Sequence, residues 1–436
     1  MNLDVVLSWK RIKKDFKDKN FIYPLLLPNI LQNDLDKWLQ ILKEKFDKTN
    51  YFPHPMEIVE IPKGNGLIRP GSLLTIEDNL YYSCLVQECY PTIFDNVKWS
   101  QNVKDFAFIA DFEHLNLPEW YKNPYEGWKR FRDKSIELIK TGYQYVILTD
   151  ITGFYENIDI NLIISDLREL NIDQTIINQI SQCLNRWSKV GSKGIPQGNS
   201  ASDLLAKVYL DPVDRGLDNA GFIHLRYVDD IRIFCKNIDE ARRALIELTR
   251  LLRKRGLNLQ SAKTKILQAK HAEVEIEGVQ SVITMIADKI REDAIFTFEN
   301  FESYEETDVD DQDESKDETP IQIIKETFKA YFIEANSEKF DKTLFHYLIN
   351  RFINDENDFA LDYCLSILDK HPEETKFILG YLNTFDDFSE FLFGTQTIIH
   401  MKLTQFISSK DYVYDYQIYL ILEWFYQRNC LVQETC

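Results

Sequence analysis

The stretch Leu225-Arg-Tyr-Val-Asp-Asp-Ile-Arg-Ile-Phe234 decides the fold of this chain. Apolar and β-branched residues flank an Asp pair on both sides. This pattern predicts two short strands joined by a tight turn that carries Asp229 and Asp230. A similar apolar run, Tyr145 to Thr149, ends directly before Asp150. Carboxylates at the ends of buried strands cost free energy to desolvate, so they indicate a functional site.

Phosphoryl transfer is the chemistry that such carboxylates serve best. Two divalent cations held about 4 Å apart stabilise both the attacking and the leaving oxygen, and hard cations prefer carboxylate ligands. We therefore expect Asp150 and Asp229 to share two Mg²⁺ ions, with Mn²⁺ as a substitute. Asp230 is expected to be a weaker ligand or a structural acceptor. A single Tyr-x-Asp-Asp is a weak signal, so its meaning depends on the motifs around it.

Four other motifs surround the Asp pair in a definite order. They are Ile61-Pro-Lys-Gly-Asn-Gly-Leu-Ile-Arg-Pro70, Asp150-Ile-Thr-Gly-Phe-Tyr155, Gly194-Ile-Pro-Gln-Gly-Asn-Ser-Ala-Ser202 and Gly256-Leu-Asn-Leu-Gln-Ser-Ala-Lys-Thr-Lys265. Together with Tyr227 to Asp230, they resemble the fingers and palm motifs of reverse transcriptases in order and spacing. The resemblance extends over residues 58–266 and is highly specific. It implies an α+β fold, with a right-hand polymerase fingers-palm domain.

The resemblance also implies roles in nucleotide binding. Lys63 and Arg69 lie in a Gly-containing turn, from which long cationic side chains can fold over a triphosphate. Alternatively, they are two solvated loop cations. Tyr155 corresponds to the bulky residue under the sugar, which collides with a 2′-hydroxyl and favours dNTPs. Alternatively, it is an ordinary core tyrosine.

Three further residues complete the predicted nucleotide pocket. Ile151 follows the metal-binding Asp150, and Gln197 precedes Gly198, whose backbone allows a close approach to the nucleotide or the template. Lys263 occupies the place of a lysine suited to protonating pyrophosphate, although an ordinary surface lysine is nearly as plausible. Ser202-Asp203 replaces the usual Ser-Pro, which puts an extra acid near the template path.

The distribution of charge divides the chain. Residues 299–436 hold 29 acidic and 11 basic residues, which accounts for −18 of the net charge of −19. The preceding part is close to neutral, so basic residues can be concentrated in a nucleic-acid cleft. The predicted domains are an N-terminal helical, partly basic segment (1–50), the fingers and palm (51–298), an acidic linker (299–320) and an α-helical C-terminal domain (321–436).

The all-α C-terminal domain reads as stacked helical hairpins, as in helical-repeat proteins. A palm followed by such a domain resembles the bacterial abortive-infection and defence-associated reverse transcriptases. That class implies antiphage defence, an RNA template such as a dedicated non-coding RNA, a DNA product, and a homo-oligomer or a second defence protein as partner. It also allows synthesis without a template or from a protein primer.

Composition restricts the remaining possibilities. No apolar run reaches the roughly 18 residues of a membrane span, and the N-terminus lacks a signal peptide, so we expect a cytoplasmic bacterial protein without membrane contact. Seven scattered cysteines indicate neither disulfides nor a zinc site. The six cations from Lys10 to Lys19 suggest nucleic-acid contact or a solvated helix face.

Two rival functions remain open. One is an RNA-dependent RNA polymerase, which Tyr155 opposes. The other is a non-catalytic RNA-binding or assembly protein on a palm scaffold.

Overall fold

The computed structural model describes residues 1–18, 34–49, 51–110, 117–188, 191–278, 320–334, 340–385, 393–409 and 412–428. Internal contacts divide the chain into two compact units. The first contains Met1–Ile61 and Arg69–Ile276, and the second contains Pro62–Ile68 and Glu277–Cys436. Apart from Pro320, the predicted acidic linker lies outside the described residues.

A four-stranded antiparallel sheet forms the centre of the first unit. Its strands, in the spatial order β4-β5-β3-β6, are β3 (Tyr145–Thr149), β4 (Ile223–Tyr227), β5 (Asp230–Cys235) and β6 (Lys265–Gln268). Tyr227 pairs with Asp230 across the β4–β5 turn, and Thr149 pairs with Ile231 on the neighbouring strand. Extending the second register by one residue puts Asp150 opposite Asp230. The two carboxylate motifs therefore meet at one end of the sheet, as the sequence predicts.

Both faces of this sheet are covered, because successive strand residues point to opposite sides. Ile147 and Ile233 belong to the large core on one face, whereas Val146 and Phe234 belong to a smaller core on the other. The helices of this unit are α1 (Val5–Asp18), α2 (Leu35–Asp47), α3 (Ile76–Val97), α4 (Pro124–Lys140), α5 (Phe154–Asn157), α6 (Ile160–Glu169), α7 (Gln174–Trp187), α8 (Ser200–Asn219), α9 (Ile238–Lys254) and α10 (Ala269–Glu277, whose last residue is assigned to the second unit).

A separate two-stranded sheet carries the predicted phosphate-binding motif. Strands β1 (Glu57–Lys63) and β2 (Leu67–Leu73) pair with each other through a short 3₁₀ turn, Gly64–Gly66. Gly66 has a φ of +70°, a conformation that glycine adopts without strain. This agrees with the turn that the two glycines of the motif predict.

The N-terminal helix α1 packs into the core of the first unit. Arg11, one of the six cations assigned to nucleic acid, is only 1% exposed and lies over the ring of Trp120 at 4.4 Å. Its guanidinium also donates to Gln87 at 3.2 Å, so this residue is a core residue and the expectation of nucleic-acid contact is wrong for it. Lys10, Lys13 and Lys14 are exposed, so for them the expectation stands as a prediction.

In the second unit, every element described after Pro320 is helical. These elements are α11 (Ile321–Phe328, continued by a π turn to Ile333), α12 (Lys342–Asn354), α13 (Leu361–Ser366), α14 (Thr375–Leu382), α15 (Phe393–Ser409) and α16 (Asp415–Gln427), with short 3₁₀ turns at Pro372–Glu374 and Asn383–Phe385. The apolar spacing of the sequence predicts four of these six described helices, at residues 321–332, 340–353, 359–369 and 412–427. None of the described helices in the chain combines the length and hydrophobicity that crossing a membrane would require.

Candidate active site

The Asp pair lies in a strained turn. Val228, the residue between Tyr227 and Asp229, has a φ of +55°, which is unfavourable for a β-branched side chain and costs about 1–3 kcal/mol. Such strain persists only where the surrounding structure maintains it. Asp229, the next residue, lies in the turn between β4 and β5 and beside Asp150.

The electrostatics of the carboxylates show that they lie close together. Burial raises the pKa of Asp229 to about 6, and the adjacent negative charge of Asp150 adds to the rise. Burial likewise raises the pKa of Asp230 to about 6, although Arg232, whose Nη2 is 3.8 Å from Asp230 Oδ2, opposes the shift. A divalent cation bound between these carboxylates would stabilise their charged forms and displace their protons to solvent.

The Gly256–Lys265 motif is attached to the strand that leads to Asp150. The carbonyl of Asp150 accepts from the Gln260 N–H at 2.8 Å, and the Thr152 N–H donates to the carbonyl of Asn258 at 2.9 Å. This pairing brings the ammonium of Lys263 into an ion pair with Asp150 Oδ2. The predicted proton donor and the predicted metal ligand are thus neighbours.

The donor chemistry fits a divalent cation. Asp150 Oδ1 is a buried oxygen with no hydrogen-bond partner among the described residues, and its other oxygen already binds a cationic group, Lys263. Asp229 lies beside it, and hard cations prefer such oxygens. Across the described ranges, however, no group of three or more His, Cys, Asp or Glu side chains is arranged to hold a metal. Asp150 and Asp229 are therefore the principal candidate ligands, and Asp230, which faces Arg232, is the third.

Tyr155 is connected to the Gly194–Ser202 motif through its backbone and its side chain. Its carbonyl accepts from the Ile195 N–H at 3.0 Å, and its hydroxyl donates to Asp203 Oδ1 at 2.6 Å. Burial, reinforced by the Asp203 carboxylate, raises the pKa of Tyr155 well above its usual value, so the hydroxyl stays protonated and is the donor. Tyr155 as a whole is 9% exposed and belongs to the main core, so the packing role that the sequence leaves open is also present.

Gln197 has an unsatisfied group that points to a ligand. Its Oε1 is buried and has no hydrogen-bond partner among the described residues, while its backbone N–H donates to Ser72 Oγ at 2.9 Å. Gly198, which follows, has a φ of +93° and is buried. An unpaired buried acceptor costs about 1–3 kcal/mol, which a bound nucleotide or template base could recover by donating to it.

Three other predicted pocket residues differ in accessibility. Lys63, at the end of β1, and Arg69, on β2, are both exposed, as phosphate-binding cations must be before the ligand arrives. Ile151 is 3% exposed and part of the core, so a nucleotide could reach only its backbone.

A buried charge network below the turn is not apparent from the sequence. Arg226 is 3% exposed and donates to both oxygens of Asp214, to Asp105 at 3.0 Å and to the carbonyl of Val228 at 3.1 Å. Lys207 completes the network with an ion pair to Asp105 at 2.5 Å. Burial alone would raise the pKa of Asp214, but the charges and hydrogen bonds of Arg226 and His224 together outweigh burial and hold that pKa well below its usual value. The network therefore directly supports the strained residue, Val228, of the turn that carries Asp229.

Comparisons with known proteins show which family contains these motifs. Residues 61–281 match the family described as Reverse transcriptase (RNA-dependent DNA polymerase). Protein YkfC of Escherichia coli (strain K12) is 22% identical over 208 residues, which are 46% of this chain and 49% of that protein. The chain thus spans about half the length of that curated relative.

Two solved telomerases are distant structural neighbours. Apo telomerase from Candida tropicalis, truncated from its C-terminal domain, has a TM-score of 0.34 and 13% identity over 49% of each chain. Telomerase from Candida albicans, in complex with a TWJ fragment of telomeric RNA, has a TM-score of 0.36 and 11% identity over 80% of this chain and 66% of that one. Both likenesses are too remote to bear on the fold. The family match includes all ten predicted site residues, and by it this chain belongs to the reverse transcriptase family.

Proposed function

We propose that this chain is an RNA-directed DNA polymerase that adds dNTPs to a primer at the Asp150–Asp229 site. The single observation that carries the proposal is the convergence of these two carboxylates at one end of the sheet, with a raised pKa at Asp229. An acidic pair this close would repel a phosphate backbone unless it bound cations. The neighbouring Tyr155, Gln197 and Lys263 are suited to the sugar, the base and the leaving group.

Asp150 and Asp229 would hold two Mg²⁺ ions, or Mn²⁺ in their place, with Asp230 as a weaker ligand. When bound, the ions would supply Lewis-acid stabilisation of the charge that develops during phosphoryl transfer. Lys263, an exposed cation beside Asp150, would donate a proton to the leaving pyrophosphate.

The other residues of the site would bind and select the nucleotide. Lys63 and Arg69 would neutralise the triphosphate from the β1–β2 hairpin. Tyr155 would exclude a 2′-hydroxyl, which opposes the alternative of an RNA-dependent RNA polymerase. The unpaired Oε1 of Gln197 would accept a hydrogen bond from the nucleotide or template, beside the backbone of Ile151 and Gly198.

Primer extension tests this proposal. Purified protein with Mg²⁺ and a primed RNA template should incorporate dNTPs in preference to rNTPs, and Asp229→Asn should lower the rate by about a thousandfold or more, since metal-ion catalysis contributes several kcal/mol. Asp239→Asn is a matched control, because Asp239 is an exposed acid on α9 whose partner is Arg242. Extension that survives in Asp229→Asn, or a preference for rNTPs, would contradict the proposal. Omitting template and primer separately distinguishes template-independent and protein-primed synthesis.

We further propose a role in bacterial antiphage defence, in the cytoplasm and with a non-coding RNA or a second protein as partner. The support is the resemblance in architecture, a palm motif set followed by an acidic helical region. Bacteria that express the chain should plate phage less efficiently than bacteria that express the Asp229→Asn variant. Equal plating efficiency across a broad phage panel would contradict this role.

A further inference from the structure

The hydroxyl of Tyr155 and the carboxylate of Asp203 form a buried contact that the proposed chemistry does not itself require. The two oxygens are 2.6 Å apart, within the range of strong hydrogen bonds to a carboxylate. Asp203 is 4% exposed and Tyr155 is 9% exposed, so water competes little for either group. A buried carboxylate is costly and therefore calls for an explanation.

Asp203 is a rigid acceptor because the start of α8 is fixed from several sides. Ser200 Oγ donates to Asp15 of α1 at 2.6 Å, and its carbonyl accepts from the Tyr121 hydroxyl at 2.7 Å. Ser202 Oγ is 3.0 Å from the Tyr82 hydroxyl of α3. The first turn of α8 cannot move without breaking these contacts, so the position of Asp203 is determined independently of Tyr155.

Tyr155, in contrast, lies in the four-residue helix α5, which follows Gly153 in a left-handed conformation. Its backbone is held to the Gly194–Ser202 motif, but that backbone contact does not by itself fix the side-chain torsions of the ring. A ring that excludes a 2′-hydroxyl by collision must not swing aside when the ribonucleotide presses on it. The hydrogen bond to Asp203 opposes that rotation.

We propose that Asp203 is a specificity-determining residue that fixes the Tyr155 ring against the sugar and thereby sets the discrimination between dNTPs and rNTPs. Asp203 acts through Tyr155 and does not touch the nucleotide, so it is a positioning residue. The inference rests on the proposed polymerase function. It also gives Asp203 a physical role as the hydrogen-bond partner of Tyr155. From the sequence, this acid was expected to lie near the template path.

The test is the ratio of kcat/KM for a dNTP to that for the matching rNTP. Tyr155→Phe removes the donor and Asp203→Ala removes the acceptor, so each should lower the ratio by about 10- to 100-fold, the equivalent of one hydrogen bond to a charged group. The Tyr155→Phe/Asp203→Ala double variant should lower it no further than the single variants, because both remove the same bond. Asp203→Asn keeps an acceptor oxygen and should retain most of the discrimination.

A purely structural role for Asp203 predicts a different result. In that case the variants lose stability and lose kcat/KM for both nucleotides equally, and the ratio stays within twofold of the wild-type value. Asp166→Ala is the control for such a loss, because it breaks a partly buried ion pair to Arg255. An unchanged ratio in Tyr155→Phe and Asp203→Ala, with the ratio lost in Tyr155→Val, would overturn the inference and leave the polymerase proposal intact. If the wild-type protein extends no primer with any nucleotide, the polymerase proposal fails, and this inference fails with it.

Discussion

Replacing Arg226 by lysine should loosen the turn that carries Asp229 while it keeps a positive charge in the buried network. The guanidinium donates from separate nitrogens to Asp214, Asp105 and the Val228 carbonyl. An ammonium is a single point charge and cannot reproduce this fork. Because the two buried carboxylates are the stronger attractors, we expect the ammonium of the variant to stay with them and the Val228 carbonyl to lose its partner.

The expected magnitude follows from two opposing energies. A hydrogen bond from a charged donor contributes about 1.5–3 kcal/mol. The left-handed conformation of Val228 costs about 1–3 kcal/mol, so this one bond offsets much of the strain. Arg226→Lys should therefore lower the free energy of unfolding by about 1.5–3 kcal/mol and kcat by about tenfold or more. Arg226→Ala should cost about 3–5 kcal/mol, because it leaves buried carboxylates without their main partner.

Urea unfolding and primer extension measure the two effects separately. Val228→Gly removes the strain of the left-handed turn, so adding it to Arg226→Lys should restore part of the lost kcat. Arg255→Lys is the control, because it weakens another Arg–Asp pair, whose acid is Asp166 of α6 and not a residue of the turn that carries Asp229. If Arg226→Lys loses stability but keeps the wild-type kcat, the network only stabilises the fold and the reasoning about the turn is refuted.

Three further predictions concern the ligands of the site. In the metal-free protein, Asp229 and Asp230 have pKa values of about 6 against about 3.9 in the unfolded chain, so the folded state binds more protons and its stability should fall as the pH rises from about 4 to 7. Mg²⁺ should consequently raise Tm more at pH 7.5 than at pH 5. Equal shifts of Tm at the two pH values would contradict this. Gln197→Met removes a buried unpaired oxygen, so it should raise the Tm of the ligand-free protein and also raise KM for the nucleotide. A lower Tm would contradict the presence of an unsatisfied acceptor. Lys263→Met removes a cation that competes with Mg²⁺ for Asp150. Calorimetry should therefore show Mg²⁺ binding up to about fivefold tighter, which corresponds to the largest free energy of an exposed ion pair. Weaker Mg²⁺ binding would indicate that Lys263 organises the site.

Local patterns were sufficient to predict the end of the sheet at which Asp150 and Asp229 meet. Apolar and β-branched runs before Asp150 and around Asp229 predict strands, and the structure has strands there, at Tyr145–Thr149, Ile223–Tyr227 and Asp230–Cys235. The register then follows, since a tight β4–β5 turn and an antiparallel neighbour bring the strand ends together. The helices after Pro320 also follow from apolar spacing, but α14 and α15 were missed. Helix α14 is largely apolar on all sides, so it offers no clear period to detect.

Long-range polar contacts could not be predicted in the same way. The sequence does not distinguish the buried charge network from ordinary charged residues, and only the fold buries its members together: Arg226, Asp105, Asp214 and Lys207. Arg11 shows the same limit, because its basic neighbours suggest a solvated or nucleic-acid-binding face while its own side chain packs on Trp120. A helix pattern gives the period of burial but not the identity of the partner. A cation over an aromatic ring therefore cannot be told from a surface cation by composition alone.

The start of α8 shows why these hidden contacts matter for function. Five side chains from widely separated parts of the chain form hydrogen bonds with residues between Asn199 and Asp203. They belong to Asp15, Asn79, Tyr82, Tyr121 and Tyr155. Four of these bonds are buried and the Tyr121 bond is partly buried, so an unmade partner would be costly and together they leave the segment little freedom. A nucleotide pocket gains selectivity when its walls cannot yield. The N-terminal helix therefore contributes to the site through Asp15, as part of the support on which Tyr155 is held, independently of any contact its exposed lysines make with nucleic acid.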